Sequence, residues 1–128
     1  MSIRAGKIGY LPLCLLWTLA VTACRQGRLE EIPGQYRFTA DWGVSILTLH
    51  QDRSLEQEIK VKGGETKRLF GSWEFKDGYL TLTPCWALSR TSWLRADNCG
   101  MSAEHYASRD LQLWFDTDAG LYYEKLQE

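Results

Sequence analysis

The residues best suited to catalysis lie in one polar stretch near the carboxyl end of the chain. Ser102, His105 and Asp110 are the residue types of a nucleophile, a base and an orienting acid. No Gly-x-Ser-x-Gly turn presents the serine, and three such common residues meet easily by chance. His50, the other histidine, lies at a predicted strand end, where we expect a surface turn. The sequence therefore predicts a protein that is not an enzyme and needs no cofactor.

Cys24 follows a leader of the secretory type. Arg4 and Lys7 precede a mostly apolar run over residues 8–23 that ends in small side chains. This order of basic, apolar and small residues is typical of a signal peptide. An uncleaved membrane helix is the alternative, but the run is shorter than the roughly 20 residues that a span requires, and Pro12 weakens it. We therefore expect residues 1–23 to be a signal-peptide helix.

The residues at the end of this leader add an anchor to the secretion signal. Val21-Thr22-Ala23-Cys24 resembles the lipobox of bacterial lipoproteins. The resemblance implies that Cys24 becomes the first mature residue and carries a diacylglyceryl group and an amide-linked acyl chain. More than one chain is needed for stable anchoring, since each buried CH₂ contributes about 0.8 kcal/mol. Because Arg25 rather than Asp follows, the resemblance implies a cell-envelope location, on the periplasmic face of the outer membrane if the source has two membranes.

Removal of the leader leaves 105 residues (128 − 23), enough for one domain with a modest core. The mature chain carries 13 basic (15 − 2) and 16 acidic side chains, which are interspersed. Nucleic-acid binding, which needs clustered positive charge, is therefore not expected. Residues 24–33 are polar and end in proline, which predicts a tether reaching at most about 30 Å.

Two cysteines remain after Cys14 leaves with the leader and Cys24 is lipidated. Cys85 and Cys99 form an even pair outside the cytoplasm, which is typical of a disulfide. Such a bond closes a loop of about 15 residues and contributes about 3 kcal/mol. A metal site with His105 or His50 is the alternative. The spacing matches no paired ligand motif, and structural zinc usually has four ligands, so no metal is expected.

Residues 34–128 show the alternation of β-strands. Leu55, Gln57, Ile59 and Val61 alternate with charged residues, and Gly63-Gly64 and Asp77-Gly78 are hairpin signals. The pattern predicts an all-β domain with an antiparallel up-and-down meander of about seven to eight strands. We expect it to form a barrel or a strongly curled sheet, because closure removes exposed strand edges.

One motif occurs twice in this domain. Gly34-x-Tyr36-x-Phe38 leads to Leu47-Thr-Leu49, and Gly71-x-Trp73-x-Phe75 leads to Leu80-Thr-Leu82. Each glycine permits a bend while the two aromatic side chains point inward. Residues 34–84 are similar to the bacterial lipocalin-like lipoproteins. The resemblance implies a small lipocalin-like barrel but no particular activity, because fold does not determine function.

The segment of residues 84–99 is the candidate binding loop. It carries Trp86, Arg90, Trp93 and Arg95, and tryptophan and arginine are enriched at binding hot spots. Three interpretations stay open: the loop recognises a partner, it contacts the membrane headgroup region, or its tryptophans fold back and plug one end of the barrel.

Function is expected to be non-catalytic. The main hypothesis is a membrane-anchored envelope lipoprotein that binds a protein or an envelope component through the barrel or the 84–99 loop. Inhibition of an extracytoplasmic hydrolase is one form of it. The alternative is a carrier of a small apolar ligand, since eight-stranded barrels can hold one. Against the carrier, large side chains such as Tyr36, Phe38, Trp73 and Phe75 would occupy the interior.

Overall fold

The computed structural model describes residues 24–106 and 110–127, so the predicted signal peptide lies outside the described residues. The strands are β1 (Cys24–Gln26), β2 (Gly34–Ala40), β3 (Gly43–Leu49), β4 (Ser54–Val61), β5 (Thr66–Lys76), β6 (Tyr79–Thr83), β7 (Cys85–Leu88), β8 (Trp93–Ala96), β9 (Cys99–Tyr106), β10 (Leu111–Asp116) and β11 (Leu121–Lys125). A single 3-10 turn, Leu29–Glu31, connects β1 to β2 within the described residues.

Eight of these strands form a closed antiparallel barrel, as the sequence predicts. The order around the barrel is β2-β3-β4-β5-β6-β9-β10-β11, and β11 pairs with β2 to close it. Seven of the eight were predicted from alternation and turn signals. The eighth, β9, lies in a stretch that shows no clear alternation in the sequence. It pairs with β6 on one side and β10 on the other, so it completes the barrel.

The barrel interior is built from the alternate residues of each strand. In β4, Leu55, Gln57 and Ile59 are buried and their charged neighbours face outward. In the repeated motif, Tyr36 and Trp73 are buried, which confirms the predicted inward direction of the aromatic residues. A side chain at Gly71 is excluded, because its Cβ would lie 2.4 Å from the Thr83 carbonyl oxygen.

Residues 24–33 pack against the barrel, although their composition predicts a tether. β1 pairs antiparallel with β9 and aligns Cys24 with Tyr106. Ile32 is fully buried, and the Tyr36 hydroxyl donates a hydrogen bond of 2.6 Å to its carbonyl oxygen. The segment is therefore part of the folded domain and covers one end of the barrel, because tertiary contacts outweigh its polar composition.

The two ends of the barrel carry different elements. At one end, which we call the β1 end, β1 lies beside the last residues of β9, and Gln26 bonds to the Asp77 carbonyl in the β5–β6 turn. The opposite end, the hairpin end, carries the β2–β3 and β10–β11 turns and the hairpin of β7 and β8. Among the residues that the structure describes, no helix is long and apolar enough to cross a bilayer.

Candidate functional site

The 84–99 segment forms a small hairpin rather than an irregular loop. β7 and β8 pair over four residues each, which aligns Trp86 with Arg95 and Leu88 with Trp93. Cys85 and Cys99 form the predicted disulfide, with their Cα atoms 6.2 Å apart. Cys85 is buried in the core and Cys99 begins β9. The disulfide therefore ties the base of the hairpin to the barrel wall.

Gln57 holds the hairpin from inside the barrel. Its Oε1 accepts a hydrogen bond of 2.7 Å from the Trp86 N–H, and its Nε2 donates one of 3.0 Å to the Trp86 carbonyl. Nε2 also lies 3.1 Å from the hydroxyl of Tyr123, which is 2.7 Å from Ser45 Oγ. This buried polar group satisfies the backbone of Trp86 where the hairpin crosses the barrel mouth.

The protonation state of Tyr123 in this buried polar group is set mainly by its burial. Burial raises the pKa of Tyr123 to about 12, although the hydrogen bonds with Ser45 and Gln57 act in the opposite direction. The phenol therefore stays neutral at physiological pH and serves as a hydrogen-bonding group in the core.

Two tryptophans close the hairpin end. The rings of Trp42 and Trp93 lie 5.0 Å apart, and Trp42 Nε1 donates a hydrogen bond of 3.1 Å to the Ser89 carbonyl. The backbone N–H of Asp41 donates to the Arg90 carbonyl at 3.1 Å. Trp86 and Trp93 are half-buried. This is the arrangement in which the tryptophans fold back over one end of the barrel.

The outer side of the hairpin stays exposed. Leu94 is 70% exposed, which is high for a large apolar side chain, and Arg90 and Arg95 of the same hairpin are also exposed. Within residues 24–106 and 110–127, neither arginine takes part in an ion pair. Arg90 donates a hydrogen bond to the Ala119 carbonyl, at 3.4 Å. The hairpin thus exposes one large apolar side chain and two arginines.

A groove runs from the hairpin along the seam between β2 and β11. These two strands align at Tyr36–Lys125 and Arg37–Glu124, and within the described residues their pairing does not continue from there toward the hairpin. The opening has a volume of about 450 Å³, with Arg37, Arg90 and Tyr122 among its lining residues. It extends the exposed surface of the hairpin onto the barrel wall.

The residues considered for catalysis are not brought together as a triad. Ser102 and His105 are three residues apart in β9, so strand alternation directs them to opposite faces. His105 Nε2 instead lies 3.0 Å from Glu31 Oε2, and Arg25 Nη2 is 3.1 Å from the same oxygen. Burial acts to raise the pKa of Glu31, but the Arg28 N–H, Arg25 and His105 outweigh it and hold that pKa below its usual value.

The metal alternative finds no support at the cysteines, because their sulfurs are bonded to each other. Among the described residues, no group of three or more histidine, cysteine or acidic side chains is placed to hold a metal ion. His50 is exposed in the turn after β3, as expected, and its carbonyl accepts a hydrogen bond of 2.9 Å from Trp73 Nε1.

Two residues of the site were not identified from the sequence. Trp42 lies in a short turn, and no local pattern shows that it packs against Trp93. Gln57 does leave a signal, since it is the polar member of the apolar face formed by Leu55 and Ile59. A polar side chain on such a face must find a buried partner, but its partner Trp86 is 29 residues away.

Comparison with known proteins assigns no family to the chain. No protein-family model, no curated protein and no solved structure matches it. The features that bear on the function of this protein are therefore the geometry of the hairpin end and the residues near Cys24.

Proposed function

We propose that this protein is a non-catalytic envelope lipoprotein, anchored through lipid on Cys24, that binds a protein partner with the hairpin end of its barrel. The observation that carries the proposal is the exposed side of the hairpin. There Leu94 is 70% exposed, and Arg90 and Arg95 of the same hairpin are exposed and have no acidic partner among the described residues.

The hairpin is suited to binding because it is held rigidly. The disulfide fixes its base, Gln57 fixes the backbone of Trp86, and Trp42 packs against Trp93. A preorganised surface loses less conformational entropy on association, so more of its contact energy contributes to affinity. The packing of the tryptophans thus supports recognition by the side chains around them.

The chemistry of this surface indicates the kind of partner. Leu94 fits an apolar pocket, and Arg90 and Arg95 favour carboxylates around it. Arginine gives bidentate geometry with carboxylates, and charge complementarity speeds association and selects the partner. We therefore expect a protein with an apolar depression bordered by acidic residues. An extracytoplasmic hydrolase with an acidic active-site cleft is one such partner.

Geometry favours this role over contact of the 84–99 segment with the membrane and over the carrier alternative. The hairpin lies at the end opposite Cys24, and β9 alone, from Cys99 to Tyr106, extends about 23 Å between the two ends. A lipid on Cys24 would therefore keep the hairpin away from the headgroups. The barrel interior is occupied by Tyr36, Trp73 and Tyr123, so no observation favours the carrier alternative.

Capture of a partner from the native envelope by chemical crosslinking tests the binding proposal. Leu94→Glu is the informative variant, because Leu94 is exposed, whereas changing Trp93 would also break its contact with Trp42. Phe70→Glu is the matched control, since Phe70 is 66% exposed on β5 and lies outside the hairpin. We expect the partner to be lost with Leu94→Glu and retained with Phe70→Glu. Equal capture by both variants would show that the hairpin is not the binding surface.

The lipid anchor is tested separately. Metabolic labelling with a fatty acid is expected to mark the wild-type protein and to be absent from Cys24→Ser. Labelling that persists in the variant, or that is absent from the wild type, would contradict the anchor and leave the binding test unaffected.

A further inference from the structure

Three aromatic side chains form a strip on the outside of the barrel. Tyr106 of β9, Trp114 of β10 and Tyr122 of β11 alternate with residues that point into the core, so they lie on the outer face. The rings of Trp114 and Tyr122 are 4.4 Å apart, and those of Tyr106 and Trp114 are 6.3 Å apart. We call these three residues the aromatic strip.

The strip is not required by the barrel core. Tyr106 is 51% exposed, and Trp114 and Tyr122 are half-buried by contact with each other. Trp114 lies over Gln112, to which its Nε1 donates a hydrogen bond of 3.1 Å. Aromatic rings with polar edges, arranged side by side on an open surface, suit a boundary between apolar and aqueous surroundings.

The strip lies next to the point where the mature chain begins. The β1–β9 register aligns Cys24 with Tyr106, and the Gly27 N–H donates to the Ala103 carbonyl at 2.8 Å. No free spacer separates Cys24 from the barrel wall. A lipid group on Cys24 would therefore hold Tyr106 within a few ångströms of the bilayer surface.

We propose that the aromatic strip docks into the headgroup region of the bilayer beside the lipid anchor and fixes the orientation of the barrel. The inference rests on the lipid anchor proposed above. Tyrosine and tryptophan are the residues that concentrate at the membrane–water interface, where the ring is desolvated and its polar group stays hydrated. The part of the β9–β11 wall that carries the strip, beside Cys24, thus faces the membrane.

The charges around the strip set the kind of lipid. Glu104 and Glu124 both align with Gln112, one on each side, on the same outer face as the strip, and Arg37 of β2 aligns with Glu124 on its other side. These residues give the surface no excess of positive charge, which is what anionic headgroups attract. The docking surface therefore fits zwitterionic lipid such as phosphatidylcholine or phosphatidylethanolamine.

The test measures the depth of Trp114 in vesicles that carry the full lipidated protein. The vesicles are phosphatidylcholine with brominated acyl chains, which quench tryptophan fluorescence on contact. We expect quenching in the wild type and loss of the quenched component in Trp114→Phe. Phe70→Glu is the matched control, and its quenching should equal that of the wild type, because Phe70 is an exposed aromatic residue of β5 that lies outside the strip. Replacing part of the lipid with phosphatidylglycerol should not strengthen the quenching.

The outcomes separate this inference from the proposed function. If mass spectrometry shows lipid on Cys24 and the protein binds the vesicles, but Trp114 is not quenched, the docking inference is overturned and the anchor stands. Quenching that survives in Trp114→Phe also overturns it, since another tryptophan would then face the bilayer. A wild-type protein without lipid on Cys24 overturns both the anchor and the docking inference, and leaves the binding of a partner by the hairpin to its own test.

Discussion

At the scale of single residues, Gln57 joins the hairpin to the barrel interior. It exchanges two hydrogen bonds with the Trp86 backbone and contacts Tyr123. Gln57→Leu would leave these buried groups without partners, and each such group costs about 1–3 kcal/mol. We expect the free energy of unfolding, measured with urea, to fall by about 2–4 kcal/mol.

A control on the outer surface makes the Gln57 prediction specific. Gln35→Leu removes an exposed amide that donates to Thr48, so it should change the stability by no more than about 0.5 kcal/mol. Hydrogen exchange at the Trp86 amide should accelerate only in Gln57→Leu. If the two variants were equally stable, the hairpin would not depend on the buried amide.

Ionisation of Tyr123 is expected to reduce the stability of the folded protein at alkaline pH. The pKa of Tyr123 is raised to about 12 from a reference of 10.0, mainly by burial. The folded state therefore favours the neutral phenol. The contribution of Tyr123 to the free energy of unfolding is fully present below pH 10 and is lost as the pH rises toward 12. We expect the melting temperature to fall over this range. In Tyr123→Phe the fall should be shallower, and an identical pH profile in both proteins would contradict the prediction.

At the residue scale, the sequence predicts which side chains are buried more readily than it predicts their partners. Alternation in β4 places Leu55, Gln57 and Ile59 on one face, and all three are buried. The same pattern carries no information about Trp86, because that contact joins residues 29 apart. The pairing of Trp42 with Trp93 is likewise a product of the closed barrel.

At the scale of elements, the disulfide fixes the hairpin and the beginning of β9 together. The double variant Cys85→Ala/Cys99→Ala removes a cross-link between residues 14 apart. In the chain-entropy account this lowers the free energy of unfolding by about 3 kcal/mol. Urea unfolding of the variant beside the oxidised wild type measures the loss.

The barrel itself should survive the loss of the disulfide. β9 pairs with both β6 and β10, and Met101 and Ala103 stay buried in the core. The circular dichroism spectrum of the double variant should therefore match the wild type in the far ultraviolet. A collapse of β-structure would show instead that the cross-link is needed to hold β9 in the wall.

The hairpin strands β7 and β8 and the following strand β9 are the elements that the sequence did not predict. Strands that alternate strongly and end in Gly63-Gly64 or Asp77-Gly78 were predicted with their turns. β9 contains glycine, serine and alanine and has no strong alternation, so its strand character comes from pairing on both sides. β7 and β8 have four residues each, which is too short to show the two-residue alternation of a strand reliably.

At the scale of the whole molecule, the path of residues 24–33 decides how far the barrel would lie from the proposed lipid anchor at Cys24. Polar composition predicts a tether, but the structure packs the segment across the β1 end with Ile32 fully buried. A free tether would let the barrel move up to about 30 Å from the membrane. A packed segment gives the domain one height and one orientation, which docking of the aromatic strip requires.

Ile32→Ala tests whether the segment is part of the fold. Removing this buried side chain should lower the free energy of unfolding by about 2–5 kcal/mol. Leu29→Ala, in the same segment but 43% exposed, should change it by no more than about 0.5 kcal/mol. Urea unfolding of the mature chain with Cys24→Ser as the common background measures both. If Ile32→Ala proved as stable as Leu29→Ala, the segment would act as a loose tether. The proposed lipid anchor would then leave the barrel without a fixed orientation, and the proposed docking of the aromatic strip would lose its structural basis.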